Sequence, residues 1–397
     1  MLRLFSTALL LIATGAFAAD HHGAQTTYVL TNEDGVLHNY IGFYTAAGTA
    51  GSPTLTFAFD SGIIGRGIGG GLFGTNRVAT LADPSAQCVY ASNAQTSDIA
   101  GVVIATGALA GNFNPSPSDT GATNGVGLAV TPNYVYAAYT DSNTIATFSV
   151  LPQCQLSFVD DVSAAGLNGG SVAGMAVHGN IMVVAYADGS IQSFNIADGV
   201  PVSNDDLQNS TGYVSSLTID FPEGVDISPD GHWALFGDSS IATKVEVSDI
   251  STGHLAPTVL YTIPGHGHAV GNGVNSGSIR LSPDATMVFM GNSDGGSVSA
   301  GFFDTHTGKV RGGCTSAQLM GFYNPWAFVG SVTTRDTTGT GGVLYVAEYG
   351  YVGSSLGVVN IASDGSSCTL TESTGSFVPD NLSDGLLSIT VYPPRPF

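Results

Sequence analysis

The chain has 397 residues, 54 of them Gly, and only 10% are charged; its formal net charge of −21 reflects nine Lys and Arg against 30 Asp and Glu. An apolar fraction of 43% excludes a disordered chain, and the scarcity of bases excludes nucleic acid and anionic membranes as partners, since both need a basic patch. Glycine at about twice its usual share punctuates many tight turns, and a sparsely charged surface suits an acidic medium, where few carboxylates remain to be protonated.

Residues 1–18, MLRLFSTALLLIATGAFA, place Arg3 ahead of an apolar run from Leu9 to Ala13 and the small-x-small triplet Ala16-Phe17-Ala18. This is the pattern of a cleaved signal peptide. Its apolar part is too short to span a bilayer, and no later stretch reaches the roughly 20 apolar residues a membrane helix needs. The expectation is a secreted or periplasmic protein without membrane insertion, with residues 19–397 as one domain. His21-His22 reads as a tail with adventitious metal affinity.

From Tyr28 onward one unit recurs: an apolar strand, a turn rich in Gly, Asp, Asn and Ser, then a second alternating strand. The copies begin near Tyr28 (YVLTNEDG), Val89 (VYASNAQTSD), Val135 (VYAAYTDSN), Met182 (MVVAYADGS), Trp233 (WALFGDSS), Met287 (MVFMGNSDGG) and Leu344 (LYVAEYGYVG). A period of about 45 to 60 residues carried by strands predicts a β-propeller. Each copy resolves into an inner strand a, the signature strand b, then c and an outer d, clearest in GLAVTP, YVYAAY, TIATFSV and LSFVDD of the third. Strand a recurs as GMAVH from Gly174, GVDIS from Gly224 and SIRLS from Ser278, twice ending in a Ser-Pro-Asp turn (Ser228–Asp230, Ser282–Asp284). The first copy lacks its own strand a, and LLSITVYP over 386–393 has that pattern with no b, c or d behind it. Pairing this last strand into the first blade would seal the ring and remove exposed sheet edges. The predicted fold is all-β: a seven-bladed propeller of four-stranded antiparallel blades, with six or eight blades left open if a copy is miscounted.

Four cysteines, Cys88, Cys154, Cys314 and Cys368, in an oxidising compartment predict two disulfides. Cys154, Cys314 and Cys368 stand before the last strands of their units and Cys88 before the second strand of its own; these turns share one face of a blade. The register therefore favours Cys88–Cys154 and Cys314–Cys368, each joining neighbouring units, with buried unpaired thiols as the alternative.

The b-strand phrases, the turn Ser228-Pro229-Asp230-Gly231 and the run YVYAAYTDSNTIATFSV resemble the Tyr-Val-Thr-Asn (YVTN) propeller repeats and the related lactonase-like seven-bladed propellers, over essentially the whole mature chain. Enzymes of the lactonase-like group open sugar lactones or cyclise muconates, and they often carry Pro-Arg-His ahead of an inner strand. The comparable place here reads Gly273-Val274-Asn275-Ser276-Gly277, and no Pro-Arg-His occurs. The resemblance thus implies the fold and leaves enzyme activity open.

Motifs that suggest chemistry fall on turns of the repeat. Gly291–Gly295 and Gly353–Gly357 match Gly-x-Ser-x-Gly but sit between b and c, without the helix a nucleophile elbow requires. Gly65, Gly67 and Gly70 form Gly-x-Gly-x-x-Gly, again with no helix to follow. The oxygen-rich loops Asn32-Glu33-Asp34-Gly35 and Asp141-Ser142-Asn143 lack the spacing of a dedicated calcium loop, so a structural Ca²⁺ is the one cofactor entertained. Asn209 and Asn381 head glycosylation sequons.

Topology is the better filter. The d-to-a loops and b–c turns surround one mouth of the channel, where scarce charged groups gather. Glu223, His268 and Glu348 are the candidate acid and base residues, and Arg66, Arg77, His266, Tyr349 and Trp326 the candidate ligand contacts, with Glu33 and His38 on the same face. His266 and His268 have no neighbouring carboxylate or Cys to complete a ligand set, so no metal site is assigned. The leading reading is recognition of a small molecule, glycan or protein segment by a monomer. A lactonase-like hydrolase or cycloisomerase and a cell-surface structural module are the alternatives.

Overall fold

A computed structural model describes residues 26–49, 52–67, 77–81, 87–115, 125–211, 224–238, 243–265, 278–292, 296–320, 328–338, 341–350, 353–373, 378–380 and 388–393. They form seven antiparallel sheets. Blade 1 uses Ser388–Tyr392, Thr27–Asn32, Ile41–Thr49 and Ser52–Asp60 as strands a to d; blade 2 uses Val78–Thr80, Cys88–Asn93, Asp98–Val103 and Ala108–Phe113; blade 3 uses Gly125–Val130, Tyr134–Tyr139, Thr144–Leu151 and Gln155–Ser163. Blade 4 comprises Val172–His178, Ile181–Tyr186, Ser190–Ala197 and Val200–Ser203; blade 5, Gly224–Ile227, Trp233–Asp238, Lys244–Asp249 and Val259–Thr262. Blade 6 comprises Ile279–Leu281, Met287–Asn292, Ser297–Asp304 and Lys309–Thr315; blade 7, Phe328–Thr338, Gly341–Gly350, Gly353–Ser363 and Cys368–Glu372.

The b strands carry the sequence signal because both of their faces are covered. Cys88–Asn93 and Met287–Asn292 are buried at every position, so they read as continuous apolar runs. The outer strand Gln155–Ser163 instead alternates between covered and exposed positions. Apolar burial is divided among seven clusters, one at each blade-to-blade seam. A long chain thereby stays well packed without thickening any single core.

The last strand closes the ring in the expected way, with Tyr28 opposite Tyr392 and Asn32 opposite Ser388. Disulfides link Cys88 to Cys154 across the seam of blades 2 and 3, and Cys314 to Cys368 across that of blades 6 and 7. The placement of Cys314 needs correction, since it lies inside the last strand of blade 6, Lys309–Thr315. Gly312-Gly313, just before it, forms a β-bulge within that strand, with φ of +51° and +123° and a register shift opposite Ala300–Phe302. Two short strands, Gln208–Asn209 and Val378–Asp380, return to pair with strand c of blades 4 and 7. Among the described residues no helix is long and apolar enough to cross a membrane.

Candidate functional site at the channel mouth

The seam between blades 1 and 2 opens toward the mouth through a buried polar network. Asp34 follows strand b of blade 1 in a left-handed conformation, φ +52°, with its N–H donated to Asn32 Oδ1 at 3.2 Å. Its carboxylate receives both terminal nitrogens of Arg77, at 2.8 and 2.7 Å, and each side chain is 1% exposed. A bidentate pair of this kind is the geometry in which a guanidinium tolerates burial. The Arg77 backbone N–H is donated to Ser388 Oγ at 2.9 Å, which ties the pair to the closing strand.

Asparagines extend the network. Asn32 Nδ2 donates to the carbonyls of Arg77 and Ser92 at 3.1 and 2.9 Å, and Asn39 Nδ2 donates to Asn32 Oδ1 and Asn93 Oδ1, both at 2.8 Å. Asn93 Nδ2 in turn donates to the Ile64 carbonyl at 2.8 Å and to Asp98 Oδ1 at 2.5 Å. Burial pushes the Asp98 carboxyl above its usual value, against the opposing hydrogen bonds from Asn93 and Thr96. Gly65 and Gly67 lie directly on this network: a Cβ at Gly65 would meet the Asn93 amide, and one at Gly67 would meet Asp34. The Gly-x-Gly pattern is thus a packing device that leaves Arg66 between the two glycines exposed.

A second group of acids belongs to blades 1 and 7. Glu33 is fully buried, accepts from Thr31 Oγ1 at 2.6 Å and lies over Gly42, opposite Thr31 in strand c. Glu348, 4% exposed, repeats this placement over Gly357, which faces Val346, and accepts from Ser355 Oγ at 3.1 Å. In both blades the missing Cβ on strand c makes room for a carboxyl folded back onto the sheet. Glu372 of strand d also reaches Gly357, and its Oε2 accepts the Met320 N–H at 2.5 Å.

Of the candidate site residues, Arg77 and Glu348 are therefore buried, and Arg66 is exposed. The backbone of Tyr349 pairs with Phe328 and Ser354. Glu223, His266, His268 and Trp326 lie outside the described residues. Ser354 and Ser355 stand in strand c, not in a b–c turn as expected, because that turn closes at Gly350 opposite Gly353. Ser293 lies outside the described residues. Asn32 Oδ1, Glu33 Oε1 and both Asp34 carboxylate oxygens serve the contacts above, and among the described residues no group of three or more His, Cys, Asp or Glu is placed to hold a metal ion. A surface cavity of about 430 Å³, lined by Val103, Leu109, Gln153 and Cys154, sits on the rim of blades 2 and 3, away from the mouth.

Above the network, two loop tips are stitched together by Asn39 N–H to the Gly65 carbonyl at 2.9 Å and Ile64 N–H to the Asn39 carbonyl at 2.8 Å. They present His38, Arg66, Leu37 (67% exposed) and Ile63 (51% exposed) to solvent. The sequence passes over Asn39, Asn93, Asp98 and Glu372, and offers Asp34 only as part of an oxygen-rich loop. The signal for part of this set was an Asn closing strand b, as in YVLTN, VYASN and VFMGN. In the third of these, Asn292 accepts from Thr243 Oγ1 at 2.6 Å and donates to Ser297 and Ser299.

No protein-family model matches the chain, and no curated protein matches it. Solved structures do. A candidate 6-phosphogluconolactonase from Bacteroides uniformis superposes with a TM-score of 0.65 at 12% identity, covering 92% of this chain and 99% of that one. The periplasmic gluconolactonase of Pseudomonas aeruginosa gives 0.60 at 13% identity, with coverage of 92% and 99%, and a Lactobacillus plantarum protein gives 0.62 at 14%, again covering 92% and 99%. At these identities the likeness is one of fold.

Proposed function

We propose that this chain is an exported propeller that recognises a small polar or anionic molecule, glycan or peptide segment at the channel mouth and performs no chemistry on it. The observation that carries the reading is the engagement of Arg77: the buried guanidinium best suited to an oxyanion is held end-on by Asp34. Among the described residues, what remains exposed above it is a mixed rim of His38, Arg66, Leu37 and Ile63. Such a rim combines an apolar footing with one permanent cation, which suits recognition of a polar ligand. Binding of gluconate, lactones and oligosaccharides is measured by calorimetry with Arg66→Ala as comparison. Saturable binding weakened about tenfold or more by that substitution supports the reading, since losing a charge-assisted contact costs on the order of 1.5–3 kcal/mol.

The likeness to a gluconolactonase and a candidate 6-phosphogluconolactonase favours a second reading, lactone hydrolysis at the same mouth by Glu223, His268 and Glu348. A panel of sugar and aliphatic lactones decides between them. Turnover that disappears in Glu223→Gln and His268→Ala establishes the enzyme and overturns recognition without chemistry.

A further inference from the structure

Among the seven outer strands, Ala108–Phe113 of blade 2 is built differently. Those of blades 1 and 4 contain Pro53 and Pro201, those of blades 3, 6 and 7 contain Asp160, Lys309 and Glu372, and that of blade 5 is four residues long. Proline, charge and shortness are devices that keep a sheet edge from accepting another chain. Ala108–Phe113 has six residues, ALAGNF, with neither charge nor proline, and among the described residues no further strand covers its outer side. Beside it lies the rim cavity of about 430 Å³. A β-bulge at Ala110, between the partners of Gly101 and Val102, turns Ala108, Leu109 and Ala110 all onto this cavity. The opposite wall is the hairpin tip of blade 3, Gln153 to Gln155. That tip is anchored by the Cys88–Cys154 disulfide and by the Cys154 carbonyl, which sits where a Cβ on Gly101 would stand. Gln153 and Gln155 are exposed, and among the described residues no ionisable side chain lines the cavity.

We infer that this edge and cavity form a peptide-docking site: an extended segment of a partner protein adds as a further strand to blade 2 and places an apolar side chain in the cavity. A strand edge offers a row of backbone donors and acceptors spaced for an extended chain, a pattern that a sugar or a lactone does not match. The Gln153 and Gln155 amides donate and accept beside that row, and Val103 and Ala110 give the cavity its apolar footing. The cavity itself is neutral, whereas the chain as a whole carries −21. The segment that fits is therefore apolar at its centre and basic at its flanks. The site is separate from the mouth and stands whether or not chemistry occurs there.

The test uses the full chain with both disulfides intact. Short random peptides displayed on phage are selected on the wild type, and synthetic copies of those recovered are measured by fluorescence polarisation. Ala108→Arg and Leu109→Lys, both at exposed positions, are expected to keep the wild-type Tm. Each is expected to weaken binding about tenfold or more, since it sets a charge against the peptide's apolar centre and repels its basic flanks. Binding to the wild type is expected to fall as salt is raised. Hydrogen exchange of the wild type with peptide bound is expected to slow at the amides of Ala108–Phe113, a readout that needs no variant and that a ligand at the mouth does not produce. Recovery of no peptide, undiminished binding by both variants, or protection confined to the mouth would overturn the proposal. So would a concentration-dependent dimer of the wild type that Leu109→Lys abolishes, because the edge would then belong to a second copy of this chain.

Discussion

Ala285 stands where its counterpart in the preceding blade is glycine. Ser228-Pro229-Asp230-Gly231 and Ser282-Pro283-Asp284-Ala285 build the same turn: Ser Oγ donates to the Asp carboxylate at 2.5 and 2.6 Å and accepts the N–H of the next strand at 3.0 Å in both. The fourth residue is left-handed in each, φ +71° at Gly231 and +54° at Ala285. An L-residue is strained there by roughly 1–2 kcal/mol, part of which is offset by the extra freedom glycine brings to the unfolded chain. Ala285→Gly is therefore expected to raise stability by about 0.5–1 kcal/mol in urea unfolding. Arg77 lies at the other extreme. Its replacement by Met would leave the Asp34 carboxylate, 1% exposed, without its counter-ion, and a loss of about 3–5 kcal/mol is expected by the same measurement.

At the scale of strands and turns, neighbouring blades are stapled where a c–d turn meets an aromatic ring. Gly199 of blade 4 (φ +87°) abuts the Tyr134 ring of blade 3, Gly308 of blade 6 (φ +65°) abuts Trp233 of blade 5, and Gly107 of blade 2 (φ +66°) abuts Phe59 of blade 1. Trp233 also donates its indole N–H to the Thr305 carbonyl at 2.6 Å. Gly253, with φ +83°, has open space where a Cβ would stand. That contrast separates backbone strain from collision. Gly253→Ala is expected to cost about 1 kcal/mol, whereas Gly199→Ala and Gly308→Ala are expected to cost about 2–4 kcal/mol, because overpacking adds to the strain. Chemical denaturation of the three variants checks the difference.

For the whole molecule, the ring depends on its closing strand. Ending the chain at residue 387 would expose Thr27–Asn32 as an unpaired edge and remove Ile389 and Val391 from the seam with blade 7. The expected outcome is loss of a cooperative thermal transition and concentration-dependent aggregation on size-exclusion chromatography. The disulfides act at a distance from that junction. Cys314→Ala with Cys368→Ala opens a 54-residue loop, and a loss of about 4 kcal/mol in urea unfolding is expected from chain entropy, with the propeller retained.

Blade count, ring closure and cysteine pairing were legible in the amino-acid sequence because they rest on local periodicity: a b strand covered on both faces must be apolar wherever it recurs, and a lone strand a pattern at the chain end has one vacancy to fill. The Ser-Pro-Asp turns were legible for the same reason, since their hydrogen bonds join residues a few positions apart. The site was not. Arg77 reads as a free cation until folding brings it to Asp34, 43 residues earlier, and Glu372 shows no partner in sequence until it accepts the Met320 N–H, 52 residues earlier. Gly42 and Gly357 look like turn punctuation, yet they are the spaces into which carboxyls fold. Which charges face the mouth, and which are consumed within the seams, is settled by contacts between strands far apart in the chain. Tertiary structure alone decided that, because burial and charge pairing are properties of the assembled seams.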